Sequence, residues 1–170
     1  MLLTSALSQA GVSTDDVEFT TMKAAQMTDA LKAGQVDAMI IWEPYASIAA
    51  KNGDGKLIET SGEIIPGHPC CCVAAREDFI NNHPDTLKKV LAIHEEATKF
   101  TNENPAEAAA CLPEDIVPDA ELQKGIIADT TFIYGLDADY RQNVMDFMNL
   151  EVELGLLDNP LTEDQIFYEA

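Results

Sequence analysis

Basic residues are scarce in this chain: 10 Lys and Arg stand against 30 Asp and Glu, a formal net charge of −20 over 170 residues. So acidic a surface repels phosphate backbones, which sets nucleic-acid binding aside. It also disfavours anions at long range, so an anion site here must act locally, through backbone N–H groups and helix ends. Signatures of nucleotide and acyl-transfer chemistry are missing too: no GxxxxGK[ST], GxGxxG or GxSxG occurs. Paired carboxylates are plentiful, but in such a composition they carry no signal, and none has EF-hand spacing.

Cysteine is present without a framework. Cys70, Cys71 and Cys72 are consecutive and Cys111 stands alone, so no CxxC spacing supports a structural zinc. Neighbouring cysteines pair only through a strained ring, which argues against a disulfide. No apolar run is long enough to cross a bilayer. Met1-Leu2-Leu3 is too short for a signal-peptide core and no basic segment precedes it. The protein is therefore expected either to stay in the cytoplasm or to be read here as less than a whole gene product.

What is present is enough for one ordinary domain or two small lobes, with 46% hydrophobic residues to build a core. The first half has a strand–helix–strand rhythm. Leu2 to Ala10 reads as a helix closed by Gly11, Ala24 to Ala33 as a helix closed by Gly34, and Pro44 suits the first turn of a helix running to about Ala50. Val17 to Thr21, Val36 to Ile41, Lys56 to Thr60 and Cys70 to Ala75 read as strands, and Ser61 to Pro69 as a connection. Thereafter the chain reads as helical: 78–82, 84–101, 105–111, 120–128, 137–154 and a short one within 161–168. The long helix has an expected apolar stripe of Leu87, Val90, Leu91, His94, Ala97 and Phe100. Several amphipathic helices following one strand need a sheet to cover, which suggests that strands are missing from this chain.

Two proline-marked breaks hold the candidate site residues. Trp42-Glu43-Pro44-Tyr45 follows an expected parallel strand, where α/β proteins usually build ligand sites. The only Trp can wall a small-ligand pocket there, or pack in the core. Glu43 sits near the positive end of the next helix, to meet a ligand or simply to cap. Gly67 and His68 lie in Pro66-Gly67-His68-Pro69, a rigid exposed connection suited to a ligand contact. His83 reads as a turn or cap residue and His94 as a packed histidine. On a strand, Cys70 and Cys72 would face one way and Cys71 the other. They read as small buried hydrophobes, or with His68 as a soft-metal or iron site.

At these residues the chain resembles the solute-binding proteins of ABC importers for nitrate, sulfonates, taurine and bicarbonate. The matching pieces are Ala30 to Ala38, Trp42 to Ser47, Ser61 to Cys71, Ala75 to Ile80, His83-Pro84-Asp85 and Asn104-Pro105. The resemblance runs from Met1 to about Asn104, and more loosely to Leu157. It implies an α/β fold of the type II periplasmic-binding-protein kind, incomplete and corresponding to the C-terminal portion. Residues 1–65 would be the α/β second lobe, and residues 66–170 the return segment and helical part of the first lobe. It further implies ligand contacts from Trp42, Glu43, Gly67 and His68, no catalytic residue, no metal and no cofactor. The implied partners are a small anion or sulfonate-like solute and an ABC permease in the membrane, with self-association of the fragment across an open sheet edge. The family's full-length members are extracytoplasmic, periplasmic or membrane-anchored.

A second resemblance implies an enzyme. His68-Pro69-Cys70-Cys71-Cys72 is similar to the Cys-rich iron motif of the fungal thiamine-pyrimidine synthases, but Val73-Ala74 stands where that motif has a further cysteine. A helical interaction fragment without a ligand is the third reading.

Overall fold

The computed structural model describes residues 1–113 and 119–168. Among these the regular structure is helical, and no strand forms. The α/β architecture expected from the sequence is therefore not realised here. The stretches at 17–21, 36–41, 56–60 and 70–75 lie between helices, outside any ladder. The physical reason is simple: a strand exists only through hydrogen bonds to a second strand, whereas a helix satisfies its own backbone. Leu57 and Ile58 of the third stretch are consequently exposed, at 51% and 79%.

The chain divides into two compact units, Met1–Pro66 with Ala106–Thr130, and Gly67–Pro105 with Thr131–Ala170. The first unit carries α1 (Leu2–Gln9), α2 (Ala24–Lys32), α3 (Tyr45–Asn52), α4 (Ser61–Ile64), most of α7 (Pro105–Ala110), and α8 (Ala120–Asp129). Helices α2 and α3 approach through small side chains, the buried Ala30 and Ala49. A Cβ on Gly55 would lie 2.8 Å from Leu31 Cδ2, so the turn after α3 is packed tightly on α2. Lys32 also reaches Asp54 across that turn, at 3.1 Å. Helix α3 ends at Gly53 with φ +75°, a left-handed cap that only glycine adopts cheaply. Asp119 caps α8, accepting from the Leu122 N–H at 2.9 Å, and its other oxygen pairs with Lys51 of α3. One carboxylate thus ends one helix and holds another.

Helix α4 occupies the stretch read from the sequence as a connection. Thr60 and Glu63 form a capping box: the Glu63 N–H donates to Thr60 Oγ1 at 3.3 Å, and the Thr60 N–H donates to Glu63 Oε2 at 2.7 Å. The cue was legible as Thr60-Ser61-Gly62-Glu63, but two prolines and two glycines nearby masked it. Gln9 of α1 donates to the Ile64 carbonyl at 2.8 Å, fastening α4 to α1.

The second unit carries α5 (Glu77–Asn82), α6 (Pro84–Glu103), α9 (Ala138–Glu153) and α10 (Glu163–Ile166). Pro84 opens α6 where its missing N–H costs nothing. The buried face of α6 differs from the expected stripe. Leu87 and Thr98 are buried, while Val90, His94 and Phe100 are exposed. Thr98 is tolerated inside because its hydroxyl donates to the His94 carbonyl at 2.8 Å. Asn102 donates to the Phe132 carbonyl at 2.8 Å, and Lys99 lies 4.6 Å over the Tyr134 ring, tying α6 to the segment before α9.

The Thr60 amide and hydroxyl hold the Glu63 carboxyl below its ordinary value of 4.5. A depressed folded value means that its contribution to stability is present above 4.5 and is lost as pH falls through the lower folded value. Thr60→Ala should cost about 1 kcal/mol of stability in urea unfolding. An NMR titration of Glu63 should give a midpoint below 4.5 in the natural chain and a partial rise toward it in Thr60→Ala, which removes the hydroxyl but keeps the backbone N–H at residue 60 as donor. An ordinary midpoint in the natural chain would show that the box does not form.

Candidate functional site

The four candidate residues fall into two patches, one in each unit. Trp42 and Glu43 stand at the entry to α3, and Gly67 and His68 open the second unit. Trp42 is 63% exposed, so it is not a core residue. Its ring lies against Tyr45, edge-on with centroids 6.3 Å apart. Glu43 Oε2 accepts the Ser47 N–H at 3.1 Å and Oε1 accepts the Ser47 hydroxyl at 2.9 Å. Glu43 therefore caps α3, and its charge already answers the helix's positive end. An incoming anion would have to displace it, whereas the Trp42 side chain is exposed.

The second patch is built on α9. Tyr140, Asn143 and Phe147 lie three and four residues apart, hence on one helix face. Gly67 has φ +72°, which favours glycine, and a Cβ there would meet Asn143 Nδ2 at 2.5 Å, so the Asn143 side chain would have to shift. His68 stands edge-on to Phe147 with centroids 5.0 Å apart. Its Nδ1 is buried with no hydrogen-bond partner among the described residues, and burial lowers its pKa from the ordinary 6.5. Burial raises the Tyr140 phenol, and the charges of Cys72 and Cys71 add to this. The segment 67–72 is thus seated along α9.

All four thiols are free and exposed. Cys71 donates to Cys70, with the sulfurs 3.6 Å apart. Local burial at the Cys70 sulfur raises its pKa, and the hydrogen bond and charge of Cys71 raise it further. The expectation that these cysteines are buried hydrophobes is therefore wrong: the segment lacks a sheet that would cover them. Among the described residues, no group of three or more His, Cys, Asp and Glu side chains is placed to hold a metal. His68 turns to Phe147 instead, so the ligand set of the iron motif is not assembled. His83 flanks α6 as its capping residue and lies against Phe79, 5.2 Å between centroids. Sequence reasoning missed Asn143. Nothing in the sequence tied the helix face of Tyr140, Asn143 and Phe147 to Gly67 and His68.

Comparison with known proteins defines the family rather than the activity. The chain belongs to the NMT1-like family, which matches residues 1–112. It is 29% identical over 111 residues to a Brucella abortus protein provisionally named a binding protein, covering 64% of this chain and 34% of that protein. It is 35% identical over 91 residues to the bicarbonate transport ATP-binding protein of Synechococcus elongatus, covering 54% of this chain and 14% of that one. A nitrate import ATP-binding protein of Synechocystis is 30% identical over 88 residues, covering 52% and 13%. The chain thus spans about a third, 34%, of the length of the first of these relatives. No solved structure matches it significantly. Among the described residues no helix is long and apolar enough to cross a membrane.

Gly67→Ala should destabilise by more than about 1 kcal/mol, because both the positive φ and the Asn143 contact oppose a Cβ. Adding Asn143→Ala should recover the contact part alone, so denaturant midpoints of the two single variants should not sum to that of the double variant. Simple additivity would show that the two residues do not meet.

His68 gives a pH test. Its lowered folded pKa means that stability is present above the ordinary value of 6.5 and is lost as pH falls through the lower folded value, since the unfolded chain takes up the proton first. Melting temperatures of the natural chain should fall between about pH 7 and 5 more steeply than those of His68→Phe. Parallel profiles would remove His68 from the account.

Proposed function

We propose that this chain is part, corresponding to the C-terminal portion, of the substrate-binding component of an ABC importer for a small anion or polar solute such as nitrate, a sulfonate or taurine. The observation that carries the reading is the family match over residues 1–112. Bicarbonate and nitrate in the names of two relatives support a small anion as the ligand class. In this reading residues 1–65 belong to the α/β second lobe, and residues 66–170 return to the first lobe and complete its helical part. Trp42, Glu43, Gly67 and His68 border the cleft, with Trp42 as the principal contact because Glu43 is engaged by Ser47. Binding closes the lobes by a hinge motion, and the closed form docks on a membrane permease outside the cytoplasm. The chain catalyses nothing. Its unpaired extended stretches are where a fragment would associate with itself.

Because Trp42 is the only tryptophan, its emission reports this site alone. Titration with nitrate, bicarbonate, taurine and a short alkanesulfonate should give a saturable blue shift with at least one of them, as the exposed indole is covered. Calorimetry on Trp42→Ala should then show binding at least about tenfold weaker, or 1.4 kcal/mol. No saturable response, either in this chain or in the longest natural polypeptide containing it, would overturn the reading.

A further inference from the structure

We propose that Cys70 and Cys71 form a two-sulfur site for a trivalent, thiol-seeking arsenical. Adjacent side chains on an extended segment ordinarily point to opposite faces. Here the two sulfurs converge instead, 3.6 Å apart, on a segment that belongs to no strand. Both residues are exposed, so a reagent reaches them from solvent. The soft thiol pair selects a soft centre. Among the described residues no third His, Cys, Asp or Glu completes a metal shell, which excludes tetrahedral zinc and iron–sulfur chemistry and leaves bidentate capture. A linear two-coordinate ion needs its sulfurs on opposite sides, whereas a pyramidal trivalent centre takes both from one side, as they stand. Bridging through that centre also makes a ring one atom larger than the vicinal disulfide, whose sulfurs would have to close to about 2.05 Å.

The step involves no electron transfer. With phenylarsine oxide, two S–H bonds and the arsenic–oxygen link break, two arsenic–sulfur bonds form, and both protons leave in one water. The thiols are not among the residues of the solute-binding reading, so the site stands whether or not that reading holds.

The test uses the full reduced chain and phenylarsine oxide. Intact mass should show one adduct per chain, and two of the four thiols should become unreactive to a chromogenic disulfide. Ethanedithiol should restore them, and a monothiol such as mercaptoethanol should not. Cys70→Ser and Cys71→Ser should each abolish the monothiol-resistant adduct, while Cys72→Ser and Cys111→Ser keep it. Circular dichroism on each variant verifies that the helices remain. Absence of the adduct in the natural chain, its survival in Cys70→Ser or Cys71→Ser, or its loss in folded Cys72→Ser would each overturn the proposal.

Discussion

Every backbone N–H and C=O group must find a partner, and in this chain only helices supply one locally. That constraint governs the described structure. Where the sequence has helical periodicity, elements form and end near their expected positions. Where it has strand character, no ladder forms among the described residues. The helices then have little to pack against but each other, and the buried apolar set is small: Ala30, Ala49, Ile64, Leu87, Ala109, Ile127 and Met148. Three of these seven are alanines, which let short helices with no sheet beneath them approach closely. Exposed Trp42, Leu57, Ile58, Val90 and Ile93 are the other side of the same constraint.

Capping and polar fastening correspondingly matter more than usual. Asp119 caps α8 and pairs with Lys51, Thr60 and Glu63 box α4, and Glu43 closes the first turn of α3. In a chain with 30 acidic residues, the carboxylates that reach helix N-termini find favourable dipoles, while the rest remain solvated. The acidic composition is thus partly absorbed by local structure. It also explains why a carboxylate beside a helix end is weak evidence for a ligand contact in this protein: Glu43 occupies the position a bound anion would otherwise take.

The helices were legible because their signals are local. Gly34 and Gly53 end α2 and α3, Pro84 opens α6, and Asp137 caps α9, all within one turn of the elements they define. The strands were misread because pairing is a property of two segments, and hydrophobic pattern reports only one. The stripe on α6 was misread in part. Leu87 is buried as expected, but Val90 and Phe100, which have the right spacing for burial, are exposed, and Thr98 is buried in their place. Gly67 and His68 were singled out for their local rigidity, whereas Asn143, which packs on Gly67 from far along the chain, has no local mark at all.

The same constraint links the thiols to the backbone. If Cys70 to Ala75 were drawn into a sheet, the pleat would turn Cys70 and Cys71 to opposite faces and separate their sulfurs. The observed approach at 3.6 Å requires that the segment stay unpaired there. Strand pairing along this segment and capture of one centre by both thiols are therefore mutually exclusive states of the same residues. The seat on α9 tips the balance, because Gly67 against Asn143 and His68 against Phe147 fix the chain's path just before the cysteines. A change that unseats Gly67 frees the segment for either state, so convergence of the thiols depends on a helix that contributes no sulfur to it.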